Sequence, residues 1–149
     1  MKDLHSEIEI DAPAERVWHL LTDFASYPQW NPFIHSIRGQ PIRGEGLEVR
    51  IEPPGGRGMT FKPKVLNAED NRELRWVGHL LVPGLFDGEH SFTIEPLEEN
   101  RVRFVQREAF KGLLVPLFFA RSLETNTQRG FEQMNRALKE RAEAAPEQD

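Results

Sequence analysis

The sequence predicts an α+β fold: an antiparallel sheet with one apolar face, covered by a long C-terminal helix. Three features of its 149 residues carry that expectation. Seven segments alternate apolar and polar residues with the period of two that a half-buried strand requires. Most are joined by short turns rich in Gly, Pro and Asn, and consecutive strands on short connections pair antiparallel. From about residue 116 the apolar period becomes helical, over a stretch long enough to cross a whole sheet. If the sheet curls, the space beneath that helix becomes a pocket instead of a filled core.

The elements follow in order. His5 to Ile10 reads as a strand, with Ser6, Ile8 and Ile10 on one face and Ser6 an imperfect member of it. A helix is expected over Ala14–Asp23. Pro13 suits its first position, Asp11 and Glu15 place negative charge at its N-terminus, and Val17, Leu21 and Phe24 share one face. Pro28 and Pro32 then stop any long helix through Trp30, leaving an aromatic corner that admits one further short helix. Strands are expected at Phe33–Arg38, at Leu47–Ile51 and at Met59–Val65, the last with an edge or bulge at Pro63, which lacks a ladder donor. Asp70-Asn71 turns the chain into Leu74, Trp76, Gly78 and Leu80. A loop at Pro83-Gly84 leads to His90, Phe92 and Ile94, and a turn at Glu98–Asn100 to Val102, Phe104, Gln106, Glu108 and Phe110. The closing helix, from about Pro116 to Ala142, aligns Phe119, Leu123, Thr127, Gly130, Phe131, Met134 and Leu138 in one stripe. Residues 144–149 read as a polar tail after one domain spanning residues 1–143.

Composition excludes several function classes. The 24 acidic and 19 basic residues give a net charge of −5 with alternating signs, so no basic patch marks a nucleic-acid or membrane-surface partner. Cysteine is absent, which removes disulfides, thiolate metal sites and a cysteine nucleophile. The N-terminal residues lack a signal-peptide core and no apolar run reaches membrane-spanning length, so a cytoplasmic chain without integral membrane association is expected. The five histidines have no metal-ligand spacing, Gly55-Gly-Arg-Gly58 lacks the strand-to-helix context of a phosphate loop, and no serine sits in a nucleophile elbow. No metal and no cofactor is expected. Oligomeric state is not legible.

Three segments carry a family resemblance: Ala12-Pro-Ala-Glu-Arg-Val-Trp18, Asp23-Phe-Ala-Ser-Tyr-Pro-Gln-Trp-Asn-Pro-Phe33 and Gly130-Phe-Glu-Gln-Met-Asn-Arg-Ala-Leu138. With the order of elements, they resemble the START-like, or SRPBCC, superfamily, in its polyketide cyclase/dehydrase and lipid-transport branch. The resemblance covers almost the whole chain. It implies a helix-grip fold, a curved seven-stranded antiparallel sheet around the C-terminal helix enclosing an apolar cavity, with one or two short helices after the first strand. It also implies a hydrophobic small-molecule partner, because members carry lipids, bind hormones or ubiquinone, or cyclise polyketides. Fold alone does not choose among these.

The candidate site comes from strand phase. His90, Gln106 and Glu108 share faces with Phe92, Ile94, Phe104 and Phe110, so all three are expected to point inward. Trp30, Phe33, Phe61, Trp76, Phe92, Phe104, Phe110 and Met134 would line the cavity, with Trp30 and Phe33 nearer its rim. One reading is a ligand-binding protein whose three inward polar groups orient a ligand. A second is a cyclase or dehydratase in which His90 and Glu108 act as acid and base. In a third the pocket is vestigial and the surface binds a protein. The same polar residues equally suit a set that merely satisfies its own hydrogen bonds. Leu113–Phe119 reads as packing at the mouth of the long helix, with a lid or membrane-touching patch as the alternative.

Overall fold

The computed structural model describes residues 2–80, 83–113 and 121–144. Eight strands are present among them: β1 (Lys2–Ile10), β2 (Ile34–Arg38), β3 (Glu48–Ile51), β4 (Met59–Phe61), β5 (Lys64–Glu69), β6 (Glu73–Leu80), β7 (Phe86–Glu98) and β8 (Arg101–Lys111). The helices are α1 (Ala14–Thr22), the single turn α2 (Tyr27–Trp30) and α3 (Arg121–Glu143), with a 3-10 turn at Phe24–Ser26 between the first two. The architecture is α+β, and every strand pair is antiparallel.

The expected count of seven strands is corrected to eight. Met59–Val65 is not one strand, because Pro63 has no N–H for the ladder and the chain breaks there into β4 and β5. The larger sheet runs β1-β8-β7-β6-β5 and the smaller β2-β3-β4. Backbone bonds bridge them: Leu47 N–H donates to Pro63 O at 2.8 Å, Val65 N–H to Glu45 O at 2.9 Å, and Gly44 N–H to Val65 O at 2.9 Å. Register shifts at Ile34/Ser36, Val65/Asn67 and Pro96/Glu98 bend the ladders, as bulges do, and help the sheet curve.

Period-two alternation decides which side chains enter the curve. Leu74, Trp76, Phe92, Ile94, Val102 and Phe104 are all buried on the concave face. Helix α3 covers them with Thr127, Gly130, Phe131, Met134, Asn135, Leu138 and Ala142, spaced three and four apart as one helical face requires. Its described part begins at Arg121, so the expected start at Pro116, together with Phe119 and the patch 114–119, lies outside the described residues. Leu113 lies inside them and is exposed.

Helix α1 begins at Ala14 as expected and ends one residue earlier, at Thr22; Pro13 is its N-cap and not its first helical residue, its carbonyl accepting from the N–H groups of Arg16 and Val17. Val17, Leu20 and Leu21 face the core. Arg16 reaches from α1 to the end of α3, donating to Ala142 O at 2.6 Å and to Arg141 O at 3.0 Å, where the orphan carbonyls of a helix C-terminus attract a cation. At the aromatic corner the Tyr27 hydroxyl donates to Leu21 O, and Asn31 Oδ1 accepts from the N–H groups of Phe33 and Ile34. Gly130 lets α3 press onto this corner: a Cβ there would lie 2.2 Å from Phe33 Cδ1.

Candidate functional site

The register across β6, β7 and β8 sets the site. Trp76, His90 and Glu108 are direct cross-strand partners, and the next inward row in the direction of residue 80 is Gly78, Gly88 and Phe110. Leu74, Phe92 and Gln106 form the row on the other side, continued by Ser6 of β1. Directly opposed residues point to the same face, so the register, which strand phase alone leaves open, sets His90 and Glu108 side by side.

A chain of hydrogen bonds runs through this layer. His90 Nε2 lies 3.0 Å from Gln106 Oε1. Gln106 Nε2 donates to Asn135 Oδ1 at 2.7 Å and to the Phe131 carbonyl at 3.3 Å, and Asn135 Nδ2 donates to Ser6 Oγ at 3.0 Å. All five of these residues except Phe131 were potential liabilities in an apolar core, and the network satisfies them with each other. Ser6, the imperfection in the first strand's pattern, is its terminus. Asn135 escaped the sequence reading because it flanks Met134 on a helix, where a lone Asn carries no period.

The other end of the network is less complete. Glu108 Oε2 lies 3.6 Å from His90 Nδ1, beyond hydrogen-bond distance, and this buried oxygen has no hydrogen-bond partner among the described residues. The separation would suit an ion pair, but burial opposes both charges. Desolvation pushes the Glu108 carboxyl up to about 8, helped by the nearby charge of Glu89. Desolvation also pulls the His90 imidazole down to about 4, against the opposing pull of the Gln106 bond. At neutral pH the pair is therefore an uncharged acid beside an uncharged imidazole.

Rings enclose His90 on its other sides. Phe92 stacks on it with centroids 4.2 Å apart, Phe131 lies at 5.1 Å and Trp76 at 5.6 Å. Phe92, Phe104, Trp76 and Met134 are fully buried and belong to the packed core. Phe33 is also core, edge-on to Phe131 at 5.6 Å, and not a rim residue. Trp30 is half-buried and packs against Tyr27 at 5.1 Å, in the aromatic corner. Phe61, Phe110 and Glu108 remain half-buried, and they surround the glycine pair. A Cβ on Gly78 would lie 3.5 Å from Phe61, and one on Gly88 would lie 3.5 Å from Glu108 Oε1 and 3.6 Å from Phe110. Two open grooves, of about 680 and 270 Å³, lie elsewhere, along Asp3–His5 with Glu124–Glu132 and along Glu69–Glu73 with Thr93–Pro96.

No group of three metal-ligating side chains occurs among the described residues, and no helix among them is long and apolar enough to cross a membrane. His79 and Arg75, out of phase with Trp76, pair with acids on the opposite face: His79 Nδ1 lies 2.7 Å from Asp87 Oδ1 and Arg75 Nη1 3.1 Å from Glu89 Oε1.

Comparison with known proteins agrees with this architecture. The family model described as "Polyketide cyclase / dehydrase and lipid transport" matches residues 1–143. A START superfamily protein from Mycobacterium smegmatis superposes with a TM-score of 0.71 at 22% identity, over 95% of this chain and 97% of that one. The Zhui aromatase/cyclase from Streptomyces sp. R1128 gives 0.76 at 16% identity, over 95% and 93%. Norcoclaurine synthase from Thalictrum flavum, solved with dopamine and hydroxybenzaldehyde, gives 0.71 at 12% identity, over 97% and 89%. At these identities the likeness is one of fold. No curated protein matched by sequence.

Proposed function

Since the chain belongs to the polyketide cyclase/dehydrase and lipid transport family, we propose that it binds a hydrophobic, aromatic small molecule on the concave face of its sheet. One observation carries this reading. On a face otherwise filled by large side chains, Gly78 and Gly88 stand opposite each other, and half-buried Phe61, Phe110 and Glu108 lean over them to ordinary contact distance of where their side chains would begin. A flat ring laid on paired glycines replaces the missing side chains, with aromatic edges around it and one polar pair at its end. Apolar contact supplies affinity in such sites and the few polar groups supply orientation.

Native mass spectrometry of gently purified protein tests the reading: an apolar adduct is expected, displaced by aromatic competitors. Protein that carries no adduct and takes up no aromatic compound would remove it.

A second reading rests on the Glu108–His90 pair. An acid held protonated beside an imidazole held neutral can deliver and accept a proton at one ligand atom, the requirement for enolisation or dehydration. On this reading Glu108→Gln abolishes turnover of a bound polyketide-like compound while binding persists. Equal turnover in wild type and variant would exclude it.

A further inference from the structure

The hydrogen-bond network fixes more than the positions of its members. The Phe131 carbonyl can only accept, so the Gln106 group facing it at 3.3 Å must be the amide nitrogen. Gln106 Oε1 is then the atom that faces His90 Nε2, and as an acceptor it requires a proton on that nitrogen. In an uncharged imidazole with its proton on Nε2, Nδ1 is left as a bare acceptor. Helix α3 thus dictates the tautomer of a side chain on β7 through one glutamine.

That bare nitrogen faces the orphan carboxyl oxygen of Glu108 across 3.6 Å. One side of the gap accepts a hydrogen bond, and the other, a protonated carboxyl, donates one. The spacing is too long for the two to bond directly, and a single atom reaches both at ordinary distances once a ligand displaces the side chains that cover the buried Glu108 oxygen. A hydroxyl oxygen, with one proton to give and lone pairs to receive, meets both demands. A ketone or ether could not donate to Nδ1, and an ammonium group could not accept from the acid. A carboxylate would bring an unpaired charge into a site that already expels charge.

We propose that the Glu108–His90 gap is a receptor for a hydroxyl group on a flat aromatic ligand, the hydroxyl donating to His90 Nδ1 and accepting from the Glu108 carboxyl. The ring lies over Gly78 and Gly88, between Phe61 and Phe110. This rests on the binding function proposed above and adds to it the chemical class of the ligand. It requires no reaction.

Calorimetric titration at pH 6 with β-naphthol, its methyl ether and naphthalene tests the proposal. The naphthol is expected to bind about tenfold more tightly than the other two, the worth of one well-made hydrogen-bonded contact. Glu108→Leu should bring the three affinities together while naphthalene still binds. Equal affinities for naphthol and methyl ether in the wild-type protein overturn the hydroxyl receptor and leave the aromatic site standing. Failure of all three to bind overturns both. Nitrogen NMR of isotope-labelled protein supplies a check that needs no ligand. His90 should show a protonated Nε2 and an unprotonated Nδ1, and the opposite tautomer overturns the proposal.

Discussion

At the scale of single residues, the Glu108–His90 pair ties stability to pH with two opposed slopes. Glu108, with its ordinary value of 4.5 raised to about 8, keeps a proton in the fold that the unfolded chain has released, so its contribution falls as pH rises through that window. His90, lowered from 6.5 to about 4, excludes a proton that the unfolded chain holds, so its contribution rises with pH between those values. The slopes offset where they overlap, and above pH 6.5 only the fall due to Glu108 is left. Thermal melts should therefore show stability declining between pH 6.5 and 8, by on the order of 1–2 kcal/mol. Glu108→Gln should flatten that decline, and a decline of unchanged size in the variant would assign it to other groups. Much of this pair was legible in the sequence, because strand phase places His90, Gln106 and Glu108 on inward faces without any knowledge of register. The orphan oxygen and the tautomer were not. They depend on Asn135 and the Phe131 carbonyl, which reach the strands from a helix distant in sequence.

At the scale of elements, two contacts decide how α3 sits. Gly130 lies against Phe33 so closely that an added methyl would overlap the ring. Gly130→Ala should destabilise by about 1–3 kcal/mol through overpacking, even though alanine favours a helix by roughly 1 kcal/mol. Pairing it with Phe33→Leu should recover much of the loss in denaturant titrations, and strict additivity of the two changes would show that they do not meet. At the far end, Arg16→Ala frees the last carbonyls of α3 and should cost about 1 kcal/mol. Hydrogen exchange should quicken in the final turn of α3 and not in β7 or β8. The elements were the most legible part of the sequence, since alternation and helical stripes report burial directly. The break at Pro63 was half legible. Its missing donor marked an irregularity, but splitting the strand also required Gly44–Leu47 to come alongside and bond to residues 63 and 65. The rim position expected for Phe33 failed for a related reason: proximity to a loop in sequence says nothing about the helix that folds over it.

At the scale of the whole molecule, the proposed ligand site lies on the same surface that α3 packs against, so on that reading binding should register as stability. At a concentration one hundred times its Kd, β-naphthol should stabilise by about 2.7 kcal/mol, raising Tm by roughly 5–10 °C in a chain of this size. Gly88→Val, whose first added carbon meets neighbours only at ordinary contact distances, should fold yet lose most of that rise. An undiminished rise would move the ligand off the glycine pair. The pairing of β1 with β8 has a consequence for synthesis. Lys2 waits for Phe110, and the concave face stays uncovered until residues 121–143 follow. A nascent chain must therefore hold β1 without its β8 partner, and its apolar strands uncovered, until β8 and then α3 emerge, the condition in which sheets aggregate. The polar layer Ser6–Gln106–His90–Glu108, set across β1, β8 and β7, would then wet the middle of that face in the interval before α3 covers it.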